Sequence, residues 1–289
     1  MSDKKQLTFI GLGAMGLPMA KRLLQAGYPV KTALHRNKEM EEDLRKMGAV
    51  IEPGFPEAVK GSDIIFTILP ADREMRAVIL DDEFLKALKP GAVLVEMTTA
   101  SIEVMKEIAD TLKKYQVEVM DSPVSGGVKG AVEGTLTFMT GGKAELLEKI
   151  RPELECMAGR IFHVGDVGMG KGIKAINQML VGIHITAASQ ALAMAEEIGI
   201  SPDDFYEVVS NSSGASKVLE TKFSKMKNHQ YDSGFQTKLL IKDMNIALKQ
   251  SQNQDLQLLK KALEIFGEAP ESMERKDFSV INKLFRKGQ

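Results

Sequence analysis

The stretch LTFIGLGAMGLPMAKRLLQAG, residues 7–27, decides the fold. Leu7–Ile10 are apolar or β-prone and run straight into Gly11, Gly13 and Gly16, after which an amphipathic segment continues to Gly27. Strand, glycine turn and helix in that order open a βαβ unit. In a Gly-x-Gly-x-x-Gly turn the first glycine permits a tight bend and the second lets the backbone approach a pyrophosphate. The third brings the helix close against the strand. Phosphates would sit at the helix N-terminus, where partnerless N–H groups and the helix dipole favour anions. Gly11, Leu12, Gly13, Ala14, Met15 and Gly16 are therefore the expected dinucleotide-contacting residues. A glycine turn without a ligand would have the same spacing, so the deciding features lie downstream.

The first half of the chain keeps alternating. Residues 28–35 (YPVKTALH), 63–69 (DIIFTIL), 91–98 (GAVLVEMT), 117–124 (VEVMDSPV) and 136–142 (LTFMTGG) read as strands. Residues 14–26, 38–47, 73–80 and 102–115 read as helices. This predicts an α/β fold whose N-terminal part is a Rossmann-type, doubly wound, mainly parallel sheet.

After Gly168 the texture changes. Residues 171–200 are apolar around nearly the whole helical circumference and contain no proline. Thirty helical residues span about 45 Å, and a helix that apolar is expected to be buried between partners. Helical patterns follow at 202–210, with Ser201 as N-cap, at 237–250 and at 256–266; no convincing strand follows His163. The chain thus divides into residues 1–165, an NAD(P)-binding domain, and residues 166–289, an all-helical substrate and oligomerisation domain joined by a long helix. A small bundle cannot bury that helix within one subunit, so a homodimer or homotetramer is expected.

Composition narrows the class. Of 289 residues, 44% are hydrophobic and 27% charged, the balance of a globular protein. Lys plus Arg (38) nearly cancels Asp plus Glu (39), which argues against nucleic-acid and membrane-surface partners. The single cysteine, Cys156, excludes an intrachain disulfide and suits a reducing compartment. No apolar run approaches the roughly 18 residues of a membrane span, and the opening MSDKKQ lacks a signal-peptide pattern; a cytoplasmic enzyme is expected. His35, His163, His184 and His229 are scattered without metal-ligand spacing, so no metal site is expected.

The end of the second strand discriminates between cofactors. NAD sites place an acid there for the ribose 2′-hydroxyl. This chain reads His35, Arg36, Asn37, Lys38 and has no acid before Glu39. A guanidinium suits a 2′-phosphate through forked, charge-assisted hydrogen bonds. Arg36 therefore predicts NADP in preference to NAD.

Taken together, FIGLGAMGLPMAKRLLQAGY, HR, ILP, DSPVSGG, GTLTFMTGG, GMGKGIKAINQ and FQTKLLIKD resemble, in order and across essentially the whole chain, the β-hydroxyacid dehydrogenases. The resemblance implies a Rossmann domain, a helical domain and an active site in the cleft between them. It implies that Leu69 and Pro70 border the cofactor and that Thr99 lies near its nicotinamide end. Ser125, Gly126 and Gly127 would hold the carboxylate of a small acid substrate. Lys174 would be the catalytic lysine, Asn177 its partner, and Lys242 a second-domain lysine closing over cofactor and substrate. Where many relatives carry two asparagines after the lysine, this chain has Asn177 followed by Gln178. That form resembles the tartronate semialdehyde reductase and L-threonate dehydrogenase branches. The implied reaction is the interconversion of a small 3-hydroxy acid and its semialdehyde. Tartronate semialdehyde (2-hydroxy-3-oxopropionate) is the first choice. The alternatives are 3-hydroxyisobutyrate dehydrogenase, L-threonate dehydrogenase, succinic semialdehyde/glyoxylate reductase, or a non-catalytic cofactor-binding scaffold of the same fold.

The residues suit that chemistry. Reduction of a carbonyl leaves an alkoxide that needs a proton donor in place as charge develops. Lys174 can supply the proton as an ammonium and remove it as an amine in the reverse direction. Asn177, three residues on, projects from the same helical face. A lysine among Ile173, Ala175, Ile176, Met179 and Leu180 calls for a reason beyond solubility.

Overall fold

The fold is described from a computed structural model, for residues 4–34 and 40–286. The chain forms two compact units, Met1–Lys174 and Ala175–Gln289. The first runs β1 (Leu7–Ile10), α1 (Gly16–Gln25), β2 (Val30–Ala33), α2 (Glu41–Lys46), β3 (Val50–Glu52), α3 (Phe55–Val59), β4 (Ile64–Thr67) and α4 (Asp72–Ile79). It continues with α5 (Asp82–Ala87), β5 (Val93–Glu96), α6 (Ile102–Lys113), β6 (Glu118–Asp121), β7 (Val124–Ser125), α7 (Gly127–Glu133), β8 (Leu136–Thr140), α8 (Ala144–Glu155) and β9 (Ala158–His163).

Six strands form one sheet in the order β3-β2-β1-β4-β5-β6, and every pair is parallel. This is the doubly wound sheet expected, and its order reverses between β1 and β4, beside the glycine turn. The central strands β1, β4 and β5 are mostly apolar because both their faces are covered. Leu7, Phe9, Phe66, Val93 and Val95 join Met19 and Leu23 of α1 in one core layer. Ile10, Ile65, Leu94 and Val119 join Met75, Met105 and Ile108 on the other side. The register aligns the strand ends: Ile10 lies beside Thr67, Thr67 beside Glu96, and Glu96 beside Asp121.

Two expectations change. Residues 117–124 are two strands. The Ser122 N–H makes the last β5–β6 ladder bond, to the Glu96 carbonyl at 2.7 Å, and Pro123 has no N–H to continue it. β7, antiparallel to β8, and β9, parallel to β8, make a separate three-stranded sheet. Residues 136–142 therefore do not extend the main sheet. Gly127 opens a helix, α7, so the SPVSGG segment is a strand-to-helix junction.

The remaining elements are α9 (Met169–Glu197), which begins in the first unit, α10 (Pro202–Ser210), α11 (Lys217–Lys227), α12 (Thr237–Gln250) and α13 (Gln257–Gly267), followed by two 3-10 segments. At 29 residues α9 is about 44 Å long. Ser201 caps α10 by accepting the Asp204 N–H at 3.1 Å. The second unit has its own core, with Ile185 and Leu192 of α9 among Phe223, Leu240, Met244, Leu259 and Phe266. A Cβ at Gly182 would collide with the Met244 side chain, so α9 and α12 approach closely there. Among the described residues, no helix is long and apolar enough to cross a membrane.

Candidate active site

The three glycines of the first turn meet three different surroundings. Gly11 has φ +98°, and a Cβ there would run into the Ile68 backbone. At Gly16 a Cβ would overlap the Gly11 carbonyl and press on Phe9 and Ile68. At Gly13 it would meet nothing. Two glycines thus let backbone pack on backbone, and the middle one leaves an open space before the first turn of α1. Leu12 and Met15 are half-buried, whereas Gly13 and Ala14 face outward. That is a cradle a dinucleotide phosphate would fit. Arg36 lies outside the described residues.

Beside the turn, Leu69 follows β4 and its N–H donates to the Thr98 hydroxyl at 2.8 Å. The adjacent Pro70 is exposed, and Thr99, next to Thr98, is half-buried. Thr98 belongs to a fully buried group at the end of β5. Its N–H donates to both Glu96 carboxylate oxygens at 3.1 Å and its hydroxyl to Glu96 Oε1. The opposing charge is Lys171, which pairs with Glu96 Oε2. Its remaining donors go to the Glu96 carbonyl at 3.1 Å and the Thr98 carbonyl at 2.6 Å.

One strand over, Asp121 receives the start of α9. Its carboxylate accepts the Gly168 N–H at 2.6 Å and the Lys171 N–H at 2.7 Å. Side-chain acceptors at helix starts contribute about 1 kcal/mol. Burial pushes the Asp121 carboxyl above its ordinary value, and the Lys171 charge and the two N–H groups oppose that rise. Gly170 has no room for a Cβ, which would meet the Met139 carbonyl and the Asp121 carboxylate. Lys174 follows on the same helix, one turn beyond Lys171, and is only 6% exposed. Ser125 ends β7, and Gly126 and Gly127, both with positive φ, lead into α7.

In the second unit, Asn177 on α9 donates to Gln178 Oε1 at 3.0 Å, and Gln178 Nε2 donates to Asp243 Oδ2 at 2.8 Å. Lys242 Nζ stands 3.0 Å from Asp243 Oδ1. Asn177 and Lys242 are thus linked through Gln178 and Asp243, both buried. Glu96, Asp121 and Lys171 carry no local sequence signal. Their association depends on strand register and on a partner about 50 to 75 residues away along the chain.

A parallel sheet reversing at a glycine turn, with open space before the first turn of α1, is the architecture of a dinucleotide-binding protein. Comparison with known proteins sharpens this. Residues 6–165 match the family described as the NAD binding domain of 6-phosphogluconate dehydrogenase. Residues 168–285 match that described as NAD-binding of NADP-dependent 3-hydroxyisobutyrate dehydrogenase. The chain is 34% identical to an NAD-dependent L-serine dehydrogenase of Pseudomonas aeruginosa, over 97% of this chain and 98% of that one. It is 33% identical to a 2-(hydroxymethyl)glutarate dehydrogenase of Eubacterium barkeri, over 99% and 96%. A solved Mycobacterium tuberculosis 3-hydroxyisobutyrate dehydrogenase with L-serine superposes with a TM-score of 0.90 at 29% identity, covering 98% of this chain and 99% of that one. The chain belongs to the β-hydroxyacid dehydrogenase family, NAD(P)-dependent oxidoreductases acting on the CH–OH group of 3-hydroxy acids.

The contrast between glycines is testable. Gly13→Ala is expected to keep its unfolding midpoint within about 0.5 kcal/mol while NAD(P)H binding by calorimetry weakens at least about tenfold. Gly16→Ala is expected to lose about 1–3 kcal/mol in urea unfolding.

Proposed function

We propose that the protein interconverts a small 3-hydroxy acid and its semialdehyde with NADP(H), tartronate semialdehyde being the first substrate to try. The observation that carries the reading is Lys174, an amine buried to 6% exposure on a helix whose first turn is fastened to the carboxyl edge of a dinucleotide-type sheet. When bound, the nicotinamide exchanges a hydride with the substrate carbon. Lys174 holds the proton that the substrate oxygen gains or loses. Asn177, one turn further on, donates an amide hydrogen to the same oxygen. Ser125 and the N–H groups of Gly126 and Gly127 bind the carboxylate, and Lys242 contributes a second positive charge to substrate and cofactor. Leu69, Pro70 and Thr99 border the nicotinamide. Arg36 binds the 2′-phosphate. The relatives favour a second reading, in which L-serine or 3-hydroxyisobutyrate is the acid.

We further infer that the protein works in the cytoplasm as a homo-oligomer built on α9. Within the second unit Ile176, Leu180, Met194 and Ile198 are 43–63% exposed, and with Ala187 and Ala191 they follow a spacing of three, four or seven residues along one helical face. An apolar stripe of that length is suited to a symmetric partner.

A steady-state screen of tartronate semialdehyde, methylmalonate semialdehyde, succinate semialdehyde, L-threonate and L-serine with both cofactors tests the reaction. Lys174→Ala is expected to lower kcat about 10²–10⁴-fold with NADPH affinity retained; undiminished turnover refutes the lysine's role. Arg36→Asp is expected to erode the NADPH/NADH preference at least about tenfold, and an unchanged ratio removes the 2′-phosphate assignment. Light scattering should find the wild type dimeric or tetrameric and Met194→Lys/Ile198→Lys dissociated. A monomeric wild type defeats the oligomer.

A further inference from the structure

We propose that Lys171, Glu96 and Thr98 are positioning residues of the dehydrogenase. Together they form a buried brace that fixes the turn carrying Leu69 and Pro70 relative to the first turn of α9, which carries Lys174. The proposal rests on the reading of Lys174 given above.

The brace is built from directional bonds only. The Leu69 N–H donates to the Thr98 hydroxyl, and that hydroxyl donates to the Glu96 carboxylate. The carboxylate also accepts the Thr98 N–H and the Lys171 ammonium. The ammonium spends its other donors on the Glu96 and Thr98 carbonyls, so all three of its protons are placed. Lys171 is 1% exposed and Glu96 is 0%. Stability alone does not call for such an arrangement. A buried ion pair is often matched or bettered by apolar residues of the same volume, because desolvation consumes most of its attraction. What a fully bonded ion pair supplies, and an apolar contact does not, is a fixed distance and angle between two backbone segments.

Those two segments are the ones the reaction needs. Leu69 stands at the end of β4, where the register places Thr67 beside Glu96. Lys171 lies one helical turn before Lys174. Asp121 clamps the same turn of α9 from the neighbouring strand, and the missing side chain at Gly170 lets it sit directly on β8. A proton-transferring amine must be placed to within a fraction of an ångström, and a shift of about 1 Å can cost about a hundredfold in rate. The chain therefore uses one lysine of α9 to set the position of the other.

The test is the double variant Glu96→Gln/Lys171→Met, which removes both charges of the pair at nearly constant volume and leaves Asp121 its two backbone N–H donors. It is expected to fold, to bind NADPH within about threefold of the wild type, and to lose kcat at least about tenfold with KM for the acid moved less than about threefold. Amide hydrogen exchange should quicken at residues 168–174 and at Leu69, and not in β1 or α1. A folded double variant with wild-type kcat overturns the proposal. So does a loss of NADPH affinity as large as the loss of kcat, since the pair would then be shaping the cofactor cradle. Should the double variant not fold, Thr98→Val decides: it keeps both charges and cuts the link to Leu69. A fall in kcat at unchanged NADPH affinity supports the brace, and unchanged kcat overturns it. If the wild type turns over none of the hydroxy acids, the functional reading has failed by itself. The exchange measurement then judges the brace alone, and exchange unaltered at 168–174 and at Leu69 overturns it.

Discussion

A side chain at position 16 has no room unless the backbone around it shifts. The space its Cβ would fill belongs to the Gly11 carbonyl, with Ile68 and Phe9 closing the sides. That single contact lets α1 lie close enough to the sheet for Met19 and Leu23 to reach the core formed by Phe9 and Phe66. It also points the first turn of α1 at the open space in front of Gly13. The seating of one helix and the shape of the phosphate cradle are thus one constraint, imposed by backbone atoms and independent of any charged side chain.

Acidic side chains do the corresponding work at the carboxyl ends of β5 and β6. Glu96 and Asp121 are neighbours in register and both fully buried. Each meets the start of α9 in its own way, Glu96 through the Lys171 ammonium and Asp121 through backbone N–H groups. A lone carboxylate at either place would be very costly. The pair of contacts makes these two acids the anchor of a 29-residue helix.

Much of this architecture could be read from the chain. β1, β4 and β5 announce themselves because a strand covered on both faces is apolar at all but one of its four positions, and the glycine spacing locates the first turn. The reading faltered where local pattern and tertiary role part. β3 and α3 are too short to show a period. α8, which holds Pro152 in its interior, has no place among the expected helices, and residues 117–124 read as one strand although Pro123 ends the ladder. At the site, Lys174 and Lys171 look alike in sequence, two lysines a turn apart on an apolar helix. The motif match singles out Lys174, and Glu96, brought over by sheet register, shows that Lys171 is held in an ion pair. Gln178 and Asp243 were equally hidden, since their bond spans 65 positions.

The small sheet of β7, β8 and β9 has its own ladder; the Asp121–Gly141 bridge and the Ser122–Thr140 hydroxyl pair tie it to the end of β6, and Val124, Leu136 and Phe138 share the core of the six-stranded sheet. Ser125 hangs from this annex, whereas the glycine turn belongs to the main sheet. The two recognition tasks proposed for the molecule are therefore carried on two ladders that share one core. On the proposed assignment of Ser125, changes around β7 would alter which acid is accepted, and the parallel ladder of the main sheet would keep its register. A lineage could in this way diversify its substrates without rebuilding its cofactor chamber.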